Sequence, residues 1–201
     1  MPKKIMESRE ELRTAMIDAA ERIITQDGVD ALTARRLASD LGIAVGTTYN
    51  VFRQMGDLIG EVNSRTIANI TGVISAVDSS EHKSVGLLMA YADAYIGFVT
   101  ANENTWEALF VGDIDPDSES HKRNLSQTLQ LFSFIEEALR TVAPTADQRE
   151  IEASARALWA AVHGMLSLMA HGRHTILGLG NVREAIQLLI TNHVAGMKAN
   201  Q

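Results

Sequence analysis

Three features of the sequence predict an all-α chain, with a small three-helix unit at the N-terminus followed by a larger helical part. Apolar residues recur at spacings of three and four along most of the chain, the signature of one helical face. Helix-start patterns precede several of these stripes, and glycines close two of the earliest. Between Thr33 and Phe52, two short apolar-patterned segments meet at Leu41-Gly42-Ile43, which reads as two helices joined by a tight turn.

Taken in order, residues 1 to 7 form a basic arm, and Ser8-Arg9-Glu10-Glu11 then has the S-x-x-E form of a capping box. Leu12, Met16, Ala19, Ala20, Ile23 and Ile24 make the apolar stripe of a first helix that ends at Gly28. Thr33 is placed to N-cap a second helix carrying Leu37, Ala38 and Leu41. Gly42 stops it, and Ile43 plugs the corner. A third helix spans about Val45 to Phe52, and its small or polar residues carry almost no charge, as suits a surface that approaches base edges. Asp57, Leu58, Ile59 and Val62 begin a fourth helix expected to reach about Val77, and the first clear break is Asp78-Ser79-Ser80-Glu81.

Beyond that break, Ser84 to Ala101 is apolar nearly all round, which predicts a buried central helix. Asn102 is placed to cap a short helix holding Trp106, Leu109 and Phe110. The acidic stretch from Asp113 to Ser120 lacks the glycine and closing glutamate of a calcium loop and reads as solvated. A helix from about His121 to Val142 is expected to bury Leu125, Leu129, Phe132, Ile135 and Leu139. Pro144 and the capping-box pattern from Thr145 to Gln148 open a long helix to about His171, rich in alanine, with Leu158, Val162, Met165, Leu166 and Met169 as its stripe. After a loop from Gly172 to Gly180, Asn181 with Glu184 starts the last helix, whose face is Val182, Ile186, Leu189, Ile190, His193 and Met197.

The pattern Ala19-Ala20, Ile23-Ile24, Gly28, Leu32-Thr33, Leu37-Ala38, Leu41-Gly42-Ile43, Gly46-Thr47, Tyr49, Phe52 and Asp57-Leu58 resembles the TetR-type transcriptional regulators, from Ile17 to about Ile59. The segment from Trp159 through His163-Gly164 is similar to the Trp, then His-Gly, signature of one C-terminal subclass of that family. The resemblance implies a homodimer with an N-terminal helix-turn-helix domain that binds double-stranded DNA (residues 1–56) and a C-terminal domain for effector binding and dimerisation (57–201). It implies Arg35, Val45, Gly46 and Thr47 near bases, and Thr33, Thr48, Tyr49 and Asn50 toward phosphates. Arg35 is the long cation able to contact guanine in bidentate fashion. Two positions depart from the family pattern: Met55 stands where a lysine is usual, and Val51 where a histidine is frequent.

Composition sets limits on these readings. The net charge of -7 does not advertise nucleic acid, but it is unevenly spread. Residues 1–65 carry nine Lys or Arg against ten Asp or Glu, and residues 66–201 carry nine against fifteen. Lys3, Lys4, Arg9, Arg13, Arg35, Arg36 and Arg53 are the candidates for a basic cluster in the near-neutral head. Cysteine is absent, which removes disulfides, thiolate chemistry and Cys-based zinc sites. No signal peptide or spanning run is present in the sequence, so a cytoplasmic protein with no membrane partner is expected.

No hydrolase elbow, phosphate loop, metalloprotease motif or dinucleotide fingerprint occurs, and neither enzymatic activity nor a cofactor is expected. His171 and His174, with His163 and His193 across helices, read as solvated or packed histidines rather than as a metal site. Tyr91, Tyr95, Phe98, Trp106, Phe110, Trp159 and His163 supply aromatic surface with a few polar handles, which points to a pocket for a small, largely apolar effector. The expected function is a ligand-responsive regulator, a repressor released from a palindromic operator. The alternative is a helical dimeric small-molecule-binding protein or enzyme with a degenerate DNA-binding head, favoured by Met55, Val51 and the negative charge.

Overall fold

The computed structural model describes residues 8–82, 84–111, 115–173, 175, 178 and 180–199. Among these the chain forms helices joined by turns, with no strand: α1 (Arg9–Asp27), α2 (Ala34–Leu41), α3 (Val45–Val51), α4 (Met55–Ser75), α5 (Val85–Ala101), α6 (Glu103–Glu107), α7 (Glu119–Val142), α8 (Gln148–Ala170) and α9 (Val182–Ala199). Local chemistry sets the ends. Ser8 and Glu11 close a reciprocal capping box on α1, with Ser8 Oγ accepting from the Glu11 N–H at 3.1 Å. Gly28 ends α1 at φ 82° and Gly42 ends α2 at φ 64°, left-handed conformations that cost an L side chain energy. Thr33 Oγ1 accepts from the Arg36 N–H at 3.2 Å and caps α2.

The chain divides into two compact units, Met1–Asn69 with Asn102–Gln127, and Ile70–Ala101 with Thr128–Gln201. In the first, the α1 stripe is the centre of the core. Met16, Ala19, Ala20, Ile23 and Ile24 are buried against Leu32, Leu37, Phe52, Leu58 and Val62, drawn from the elements that follow. Burying such side chains is worth about 1.5 to 3 kcal/mol each for the larger ones, and this anchors α2 and α3, which are too short to be stable alone. The second unit packs α5, α8 and α9 together around residues such as Leu88, Val99, Ile151, Leu166, Ile186 and Ile190.

Three expectations require correction. Leu125 and Leu129 are 54% and 51% exposed rather than buried. The first turns of α7 turn a polar face inward instead. Ser120 is buried, Asn124 donates to the Gly60 carbonyl at 3.0 Å, and Arg123 reaches Glu61, so the leucines one position round the helix face outward. The cap of α8 is Asp147, which accepts from the Glu150 N–H at 2.8 Å, two residues beyond the threonine. Asn102 precedes α6 without making a side-chain cap bond. The cap of α9 agrees with its sequence: Asn181 Oδ1 accepts from the Arg183 N–H at 3.0 Å, and its amide donates to Glu184.

Candidate nucleic-acid interface and ligand cavity

The turn between α2 and α3 is held from beneath by the apolar face of α2 and from the side by Ile43, leaving one surface of α3 outward. Val45 is 40% and Tyr49 53% exposed, and Gly46 and Asn50 are exposed with them. Thr47 is half-buried, and Thr33 and Arg35 are exposed on the neighbouring α2 side. A small, uncharged ridge with a polar ring at one end is what a major-groove reader presents to base edges. Thr48 is different: its side chain is fully buried and its hydroxyl has no hydrogen-bond partner, so it cannot extend to a phosphate. That residue packs the underside of α3.

The departures at Val51 and Met55 have a packing explanation. Both side chains lie against the core built on α1, where a lysine or histidine would have to be desolvated. The cations of this unit are distributed accordingly. Arg36 pairs with Asp27 at 2.5 Å, and Arg65 joins Asp18 at 2.8 Å and Glu21 at 2.5 Å. Arg9 reaches from α1 to donate to the Asn50 carbonyl at 3.2 Å, where the carbonyl end of α3 favours positive charge. Arg35 and Arg53 are exposed and make no ion pair among the described residues, so they remain available to an anionic partner. Lys3 and Lys4 lie outside the described residues.

Glu61 was not singled out by sequence reading, because one glutamate in a helix gives no pattern. Its side chain is only 13% exposed and accepts from Arg13 at 2.8 Å and Arg123 at 2.7 Å. The same Arg13 guanidinium lies 5.0 Å from the centroid of the Phe52 ring, and Phe52 ends α3. Arg123 Nε also donates to Ser64 Oγ at 3.1 Å. This network ties α1, α4 and α7 to the exit of α3. On the adjacent stretch of the same unit, α6 packs on α1, Asn104 donates to the Thr25 carbonyl at 2.9 Å, and Asn63 donates to the Ala108 carbonyl at 3.2 Å.

In the second unit, an apolar cavity of about 60 Å³ is lined by Tyr91, Tyr95 and Trp159 together with Ile70, Ile74, Leu88, Ala92, Leu131, Ile135, Leu158, Val162 and Ile190. The aliphatic lining could not be distinguished in sequence from ordinary core. Trp159 is held edge-on by Phe132 at 5.7 Å and stacks on His163 at 5.0 Å with 18° between planes. Burial holds the His163 imidazole below its ordinary value, so it is neutral around pH 7. Phe98 is buried on α5 but is not part of the lining. Trp106 and Phe110 lie in the other unit, in edge-to-face contact at 5.5 Å, Trp106 buried and Phe110 exposed. The structure therefore groups three of the seven aromatic candidates around one cavity, with His163 beside them.

Among the described residues no cluster of three or more His, Asp or Glu is arranged to hold a metal ion, and His174 lies outside them. No helix among them is long and apolar enough to cross a membrane.

Comparison with known proteins places both halves of the chain. Residues 16–62 match the family described as Bacterial regulatory proteins, tetR family, and residues 88–192 match Tetracyclin repressor-like, C-terminal domain. A curated relative, an HTH-type transcriptional regulator of Staphylococcus aureus, is 22% identical over 113 residues, 56% of this chain and 59% of its own length. The chain thus spans less than two thirds of that relative. A protein of unknown function from Rhodococcus sp. RHA1 has a similar fold, with a TM-score of 0.71 at 20% identity and 98% of each chain covered. The transcriptional regulator SCO7222, a TetR from Streptomyces coelicolor, superposes with a TM-score of 0.64 at 16% identity, over 93% of this chain and 97% of that one.

Proposed function

Because the chain belongs to the TetR family, we propose that it is a DNA-binding transcriptional regulator, not an enzyme, and that it represses from a palindromic operator until a small effector binds. The observation that carries this reading is the outward face of α3. Val45, Gly46, Tyr49 and Asn50 are exposed beside Arg35 on a buried support, while Arg35 and Arg53, which make no ion pair among the described residues, flank that face. Base reading falls to Arg35, Val45, Gly46 and Thr47, and backbone contact to Thr33, Tyr49 and Asn50. With Met55 turned into the core, one phosphate contact is forgone, lowering the log-log salt slope by about 0.9.

Two copies act together in this reading. Ala153, Ala157, Ala160 and Gly164 form an exposed small-residue stripe on α8, and Leu188 is 62% exposed on α9. Small residues let a helix of a second copy approach closely, and an isologous two-fold pairing is the commonest closed assembly. Two heads so held read half-sites about one helical turn apart, roughly 34 Å. The protein acts in the cytoplasm, where DNA is accessible, and its effector occupies the cavity lined by Tyr91, Tyr95 and Trp159.

Selection of bound sequences from a random DNA pool, followed by salt titration on selected and scrambled duplexes, tests the reading. A palindromic motif bound at least about a thousandfold more tightly than scrambled DNA is expected. Equal affinity for both would instead favour a carrier with a non-functional head. Arg35→Ala should relax specificity at one position of each half-site by about 1 to 3 kcal/mol. An unchanged motif in that variant removes Arg35 from the reading set.

A further inference from the structure

The apolar cavity is small for an effector. Small-molecule sites typically enclose about 300 to 1,000 Å³, several times the 60 Å³ found here. Ile74 and Tyr91 also line a second space, a cleft of about 580 Å³. The two spaces therefore share a wall, made by Ile74 and Tyr91. The cleft differs from the cavity in chemistry: Leu87, Phe134 and Tyr91 supply apolar surface, and Ser75, Ser79, Ser84, Thr141 and Glu137 supply oxygen.

Three of these groups, on Ser75, Thr141 and Glu137, are arranged to accept. Ser75 Oγ donates its proton to the Gly72 carbonyl at 3.0 Å, and Thr141 Oγ1 donates to the Ala138 carbonyl at 2.7 Å. Each hydroxyl has one proton, so only lone pairs remain for a ligand. Glu137 is a carboxylate and accepts only. Its neighbour Glu136 is held by Arg140 at 3.6 Å and Arg156 at 3.3 Å, whereas Glu137 has no ion pair among the described residues. The described lining contains no lysine or arginine, and His82 is its one basic side chain. Tyr91 and Phe134 meet edge to face at 6.0 Å, adding aromatic surface of the kind that attracts cations. The negative charge reaches the junction of the two spaces: burial first, and then Glu137, push the Tyr91 phenol up.

We infer that the effector is an amphipathic base, an apolar chain or ring bearing a cationic amine, with its ammonium against Glu137 and its apolar end in the cavity beyond Tyr91. The inference rests on the effector reading of that cavity proposed above. Glu137, the one carboxylate of the described lining, selects an N–H-rich cation and repels fatty acids and other anionic amphiphiles. The ligand needs no metal and no covalent step.

Decylamine, decanol and decanoate, each below its aggregation threshold, are the probes. They are titrated into the full-length protein with fluorescence detection and calorimetry. Trp159 lies in the cavity wall, so an apolar end that enters changes its emission. Decylammonium should bind about tenfold or more tightly than decanol, and decanoate most weakly, as charge-assisted hydrogen bonding and cation–π attraction imply. Glu137 is exposed, so Glu137→Gln should fold normally; in it the amine preference should fall to within about twofold while decanol affinity is unchanged. Decanol binding with no amine preference, or a preference that survives Glu137→Gln, overturns the assignment of the head group and leaves the cavity as an effector site. Failure of all three probes to bind overturns both.

Discussion

Removing the charge of Glu61 tests whether the polar network in the head positions the reading helix. Two guanidinium groups contact this carboxylate, at 2.8 Å from Arg13 and 2.7 Å from Arg123. With charge centres about 4 Å apart and an effective dielectric near 20, each attraction is about 4 kcal/mol before desolvation is counted. Both guanidinium side chains are partly solvated, at 33% and 45% exposure, and the net value falls toward that of surface pairs, about 1 kcal/mol. Glu61→Gln keeps one acceptor and should therefore cost about 1 to 2 kcal/mol in all. The second consequence is functional. Released from Glu61, Arg13 loses its fixed place over the Phe52 ring, and the exit of α3 is less constrained. Urea unfolding of Arg13→Ala, Glu61→Gln and the double variant, in a Trp159→Phe background so that Trp106 reports this unit, measures the coupling. A coupling of about 0.5 to 1.5 kcal/mol is expected, together with weaker operator binding in each single variant. Strict additivity within about 0.3 kcal/mol, or DNA affinity equal to that of the parent, would refute the positioning role.

Other perturbations address separate parts of the molecule. Thr48→Val replaces a buried hydroxyl that has no partner, so stability should be unchanged or rise by up to about 1 kcal/mol and DNA affinity should not move; a drop in affinity would show that the hydroxyl does reach the partner. Leu188→Glu puts a charge at a site already 62% exposed in the single chain, so α9 should stay folded while sedimentation shows dissociation of the dimer; an intact dimer would place the interface elsewhere. Burial holds the His193 imidazole below 6.5 in the folded chain. Below that pH the unfolded chain binds the extra proton, so the stability contributed is full above 6.5 and is lost as pH falls through the folded value. Stability measured from pH 8 to 5 should fall less steeply in His193→Gln than in the parent. Parallel profiles would exclude His193 as a contributor.

Much of the fold is legible in the sequence because its signals are local. Ser8 with Glu11, Thr33, Gly28 and Gly42 act within one helical turn, and their caps and stops lie where residue type alone places them. The α1 stripe is equally legible, since six apolar residues at helical spacing leave one face that can be buried. The stripe on α7 misled for a physical reason. Periodicity says which residues share a face, but the neighbouring surface decides which face is turned inward, and the neighbour there offers Gly60 and Glu61, to which Asn124 and Arg123 bond. The leucines were left outside.

The candidate sites divide in the same way. Residue type and order alone determined the helix-turn-helix, the uncharged character of α3, and the resemblance that the matches at 16–62 and 88–192 bear out. Tertiary structure decided which of those side chains remain available. It buries Thr48, packs Val51 and Met55 into the core, gathers Tyr91, Tyr95 and Trp159 around one cavity, and sends Trp106 and Phe110 to the other unit. It also leaves Glu137 without an ion pair among the described residues, while its neighbour Glu136 is held by two arginines. Caps and periodicity act between residues a turn apart, so they can be read along the chain; burial, pairing and cavities depend on residues far apart in sequence, and only the folded chain brings those together.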